Sequence, residues 1–193
     1  MSYYWLPFRD ENWHLDTISR MDRADSILPF DDCSPAGRTR TGANRRNANW
    51  KDITLNDHLF VVGHGHKFST NMISWKLNDA EHVTWTASEL ADRLAYNLTH
   101  AKNYNLTIHV LACFSGNNIT FFSKSFGKKL AKKLRSRGFS GNLVCYKGGV
   151  GMLKARGHQT GSSRITAAPH FIFGSGADVK GKSTDNSTIK LKI

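Results

Sequence analysis

The chain is short of cysteine, of carboxylates and of long apolar runs. Its 193 residues hold three cysteines, Cys33, Cys113 and Cys145, an odd number spread far apart. That excludes the disulfide framework of small secreted domains and points to a reducing compartment. No apolar stretch approaches the ~20 residues that a membrane-spanning helix needs, so no membrane span is expected. Residues 1–8 are aromatic and lack the basic start and long apolar stretch of a secretion signal. There is no internal repeat, no zinc-finger spacing and no RNA-binding signature. Nucleic acid is therefore the less expected partner. Acids are scarce: Asp and Glu number 15 against 27 Lys and Arg, a net charge of +12. An excess of that size implies an anionic partner or, more plainly, a solubilising basic surface.

The length fits one domain with a proper core. Residues 3–8, Tyr-Tyr-Trp-Leu-Pro-Phe, read as an edge strand, since Pro7 cannot serve a central one. Apolar spacing predicts a helix over 16–27. The span 31–51 is rich in Gly, Ser and Asn and carries Arg38, Arg40, Arg45 and Arg46, so it reads as a basic arm. Residues 58–63 and 107–112 are short Val/Ile/Leu-rich runs, the pattern of strands buried on both faces. A hairpin is expected near 71–76. Thr86 and Glu89 form a capping-box pattern that opens a helix, with an apolar stripe through Leu90, Leu94 and Tyr96 towards His100. A second helix is expected over 119–137, with Phe122, Phe126, Leu130 and Leu134 on one face and lysines on the other. Gly138 stops it. Strands follow at 143–146 and 170–173. Residues 1–57 thus read as an extension with a basic arm inside the same domain, 58–176 as the core, and 177–193 as a flexible polar tail. The alternation of strand and helix predicts an α/β fold with a mostly parallel sheet and right-handed crossovers.

Two strand ends carry the chemistry. One reads Val61-Val62-Gly63-His64-Gly65-His66, the other Val110-Leu111-Ala112-Cys113-Phe114-Ser115. Sites in open parallel sheets lie beyond the carboxyl ends of the strands. An imidazole and a thiol would then share one rim. A thiol attacks as the thiolate and needs a base or a cation nearby. A histidine can accept its proton and return it to a leaving amine. Gly65 allows main chain to approach a substrate oxygen, so the Gly65 and Cys113 N–H groups are the expected oxyanion donors. Taken singly, Cys113 reads as an inert buried thiol and His64 as turn chemistry. Their order and their separation (113 − 64 = 49 residues) favour a pair.

An apolar strand ending in His-Gly and another ending in Ala-Cys, with the helix Thr86-Ala87-Ser88-Glu89-Leu90-Ala91-Asp92-Arg93-Leu94-Ala95 between them, resembles the caspase-like cysteine peptidases. The likeness is greatest to the self-processing protease domains of RTX and large clostridial toxins, over residues 55–175. That resemblance implies a three-layer sandwich with helices on both faces of the sheet and a C-terminal β-flap. It implies a His64/Cys113 dyad with a protein or peptide substrate. It also implies activation by inositol hexakisphosphate held in a basic pocket, for which Arg38, Arg40, Arg45, Arg46, Lys147, Lys154, Arg156 and Arg164 are the candidates. It further implies a monomeric bacterial effector acting in a host cytosol, or otherwise a cytoplasmic protein. Trp75, Phe114 and Phe121 are candidates for an apolar substrate pocket.

Three rivals remain. His58, His64 and His66 suggest a zinc cluster, but the Asp and His that would complete the metallo-β-lactamase pattern are replaced by Phe68 and Ser69. A nucleophile elbow at Cys113 would want a small residue where Leu111 stands. The last is a non-catalytic basic module that binds polyanions or nucleic acid.

Overall fold

The computed structural model describes residues 2–5, 7, 28, 49–66, 69–73, 84–118, 124–147, 149–150, 169–170 and 188–193. Its centre is a five-stranded sheet of β1 (Ser2–Trp5), β2 (His58–Val62), β6 (Leu106–Leu111), β7 (Gly141–Tyr146) and β10 (Thr188–Lys192), in the spatial order β1-β2-β6-β7-β10. The first four are parallel, and β10 closes the β7 side antiparallel. A small antiparallel sheet of β3 (His64–Gly65), β4 (Met72–Ile73) and β5 (Thr84–Trp85) sits at the end of β2, where a simple hairpin was expected. β8 (Gly149–Val150) and β9 (Pro169–His170) pair as a separate two-stranded ribbon. Of the expected last strand over 170–173, His170 lies in β9, and residues 171–173 lie outside the described ones. The proposed helix at 16–27 also lies outside them.

Register explains the core. Tyr3, Leu59, Ile108 and Leu143 are successive partners across β1, β2, β6 and β7. With two-residue alternation their side chains share one face. Trp5, Val61, Val110 and Cys145 extend that face, and all eight belong to one buried cluster. Each of the larger ones contributes roughly 1.5–3 kcal/mol by leaving water.

Helix α1 (Ala87–Asn97) starts as its capping box predicts. Thr86 Oγ1 accepts from the Glu89 N–H, and the Glu89 carboxylate accepts from the Thr86 N–H at 2.7 Å. It buries Leu90, Ala91 and Leu94. Tyr96, placed in the apolar stripe by the sequence reading, is 82% exposed instead. Helix α2 (Phe126–Ser136) is capped by Ser125, whose Oγ accepts from the Lys128 N–H. It begins later than the expected residue 119, and residues 119–123 lie outside the described ones. Gly138 ends it in the left-handed region at φ 84°.

Both described helices pack on the same face, against one another and against the same cluster. The expected placement on both faces is not met among the described residues. The reason lies in strand order. β2, β6 and β7 advance in one direction across the sheet, so right-handed crossovers put α1 and α2 on one side.

The opposite face carries a row of its own. Tyr4, Phe60 and His109 are register partners on β1, β2 and β6 and stack ring on ring, with centroids 4.9 and 4.3 Å apart. The tail expectation needs correction too. Residues 188–192 form an edge strand, and Leu191 and Ile193 meet the core. Alternation of Ile189, Leu191 and Ile193 with polar residues is a half-buried strand pattern, hidden by the polarity of the neighbouring chain.

Candidate active site

β2 and β6 are parallel neighbours, and the last pair in register is Val62 with Leu111. Their carboxyl ends therefore emerge side by side. The Gly63 N–H extends the pairing by donating to the Leu111 carbonyl at 3.3 Å. Immediately beyond, Gly65 lies against the main chain of Cys113. A Cβ on Gly65 would stand 2.0 Å from the Cys113 carbonyl oxygen and 3.1 Å from its nitrogen. No side chain fits there, so the glycine lets β3 cross close over the cysteine. His64, Gly65 and Cys113 are thus gathered at one rim of the sheet. His64 and Cys113 are each half-buried.

The turn that holds Cys113 is tightly constrained. Phe114 adopts φ 58°, which for a bulky residue costs roughly 1–3 kcal/mol. Ser115, 3% exposed, offsets it. Its Oγ donates to the Val110 carbonyl at 3.3 Å and accepts from the Tyr146 N–H at 3.0 Å. The Gly116 N–H donates to the Tyr146 carbonyl at 2.8 Å, and the Gly127 N–H to the Ser115 carbonyl at 2.8 Å. The cysteine turn is thereby fastened to the end of β7 and to the first turn of α2. Ser115 is a residue the sequence reading missed. Its signal was only that it follows a Cys-Phe step after an apolar strand, and its partner Tyr146 lies 31 residues away.

The other cysteines behave differently. Cys145 is fully buried, and burial pushes its thiol up to about 12, only partly opposed by a hydrogen bond with Ser115. It is an inert packing residue at neutral pH. Cys33 lies outside the described residues.

Of the candidate polyanion ligands, only Lys147 is described; it is exposed just past β7. Arg38, Arg40, Arg45, Arg46, Lys154, Arg156 and Arg164 lie outside the described residues, as do Trp75 and Phe121. The β8/β9 ribbon follows directly after Lys147.

The three histidines of the zinc rival are not gathered. His58 opens β2 and His64 follows its end, about 20 Å along an extended strand. Among the described residues no three metal-ligating side chains converge. His58 instead meets His109, with Nδ1 and Nε2 sharing a hydrogen bond at 2.9 Å. Burial pushes the His109 ring down to about 4, with His58 and Lys190 adding to the shift. Burial also lowers His58. Sequence alone shows two histidines in two strands; only the register puts them on one face.

No protein-family profile matches the chain, and no curated protein matches it. Among the described residues no helix is long and apolar enough to cross a membrane.

Proposed function

We propose that this chain is a cysteine endopeptidase of caspase-like type, with Cys113 as nucleophile and His64 as base. The observation that carries the reading is the contact of Gly65 with the Cys113 main chain at the rim shared by β2 and β6. The constrained turn at Phe114 adds support, because strain concentrates where a reactive group must be presented.

In this mechanism the Cys113 thiol gives its proton to His64, and the thiolate sulfur attacks the scissile carbonyl carbon. The oxyanion is stabilised by the N–H groups of Gly65 and Cys113; each such donor is typically worth ~10²–10³ in rate. The C–N bond breaks as His64 returns the proton to the departing amine. A water then loses a proton to His64 and attacks the thioester, releasing the acid and restoring the thiol. A polyphosphate such as inositol hexakisphosphate acts as activator on the basic arm and on the segment after Lys147, with the β8/β9 ribbon as the flap. The setting is a bacterial effector working in a host cytosol.

The test is labelling with a thiol-reactive peptide probe. Cys113→Ala and His64→Ala should abolish labelling, while Cys33→Ala and Cys145→Ala should retain it. Equal labelling of the three cysteines would refute the assignment.

A further inference from the structure

The positive charge is not spread along the chain. Residues 1–92 carry 10 Lys and Arg against 13 Asp and Glu (−3), residues 178–193 carry 4 against 2 (+2), and residues 93–177 carry 13 with no acid at all (+13). The whole net charge of +12 is thus owed to one acid-free stretch. Within it, α2 concentrates the cations. Phe126, Leu130, Ala131 and Leu134 turn inward, while Lys124, Lys128, Lys129, Lys132, Lys133 and Arg135 are exposed around its outer side.

Among the described residues none of these six has a carboxylate partner; the recorded ion pair of the helix layer is Arg137 with Asp92. Lys128 with Lys132 and Lys129 with Lys133 are spaced four apart, where like charges repel by roughly 0.2–0.5 kcal/mol per pair. The helix holds because its inner side is packed, and an outer anion would relieve the repulsion.

We infer that the outer face of α2 binds the phosphate backbone of a double-stranded nucleic acid without reading its sequence. Three observations favour that partner. The apolar side of α2 is already used in the core, and the large hydrophobics exposed among the described residues are Leu55 and Tyr96, neither on α2. The face therefore has nothing to insert into a lipid surface, where stable binding needs apolar area as well as charge. None of its exposed positions is aromatic, so it lacks the stacking platform of single-strand binders. Lysine heads are point charges suited to phosphates, which position a protein on a duplex but carry no sequence information. The lack of a base-reading motif is then what such a face requires. Over the ~16 Å of an eleven-residue helix a duplex presents about nine phosphates. This inference is independent of the peptidase reading.

The test is fluorescence polarisation of a labelled 20-base-pair duplex against salt. Two triple variants remove equal charge: K128Q/K129Q/K132Q on α2, and K51Q/K102Q/K190Q elsewhere. Lys190 sits across the sheet from α2, in the row of Phe60 and His109. The α2 variant should weaken binding at least tenfold near 100 mM salt. It should also reduce the slope of log affinity on log salt by about 2–3, as expected for three lost phosphate contacts. The second variant should stay near wild type. Equal weakening by both variants would overturn the inference, since net charge alone would then explain binding. So would no binding by the wild type, or α2-dependent binding to phosphatidylserine vesicles without binding to the duplex.

Discussion

Gly65 is the residue on which the candidate site turns. A Cβ on it would fall 2.0 Å from the Cys113 carbonyl oxygen, so Gly65→Ala would drive a methyl into that atom. A backbone atom cannot swing aside as a side chain can. Gly65→Ala should therefore lower the melting temperature by several degrees and remove thiol-probe labelling of Cys113, as read by scanning calorimetry and probe gels. His109 makes a different residue-scale prediction. Its ring is neutral in the fold down to about pH 4, whereas an unfolded histidine protonates near 6.5. Between those values the unfolded chain binds more protons, so stability is whole above pH 6.5 and falls as pH drops towards 4. From pH 7 to 5 the loss should be about 1–2 kcal/mol, or a few degrees of Tm. His109→Phe, which keeps the stack on Phe60, should flatten that acid slope. Unchanged pH dependence in the variant would show that the burial of this ring is not the cause.

At the scale of elements, the helices and the edge strands were read from the sequence with unequal success. The α1 start was legible because a capping box is local, three residues from Thr86 to Glu89. Pro7 points to an edge strand over residues 3–8, and β1 takes an edge of the sheet over Ser2–Trp5. β10 was not legible. Its two apolar residues, Ile189 and Leu191, alternate within a lysine-rich end, and only pairing with β7 gives them a surface to cover. Its role can be tested by deleting residues 188–193. The β7 edge would lose a full antiparallel ladder, and the core would lose the cover of Leu191 and Ile193. Because Tyr146 at the end of β7 bonds Ser115, the truncated chain should show a lower Tm and slower labelling of Cys113. Full labelling at full stability would mean that β10 is an accessory strand.

At the scale of the molecule, net charge bears on the proposed activation by a polyphosphate. If a polyphosphate binds the folded chain alone, it stabilises by mass action, by about 2.7 kcal/mol at a hundred times its dissociation constant. Inositol hexakisphosphate should then raise Tm by several degrees and quicken Cys113 labelling, an effect weakened by charge removal at Arg38, Arg40, Arg45 and Arg46. No shift at saturating ligand would remove the activator and leave the His64/Cys113 pair standing.

What the chain decides by itself is local: which runs are strands, where α1 is capped, where Gly138 ends α2, and that a histidine and a cysteine each follow an apolar run. These follow from two- and 3.6-residue periods and from caps, which neighbouring residues specify. Strand order, register and the face shared by both helices are choices between distant segments, and many pairings satisfy the same periodicity. Only the assembled sheet sets Gly65 against Cys113, ties Ser115 to Tyr146, and lays Tyr4, Phe60 and His109 in one row.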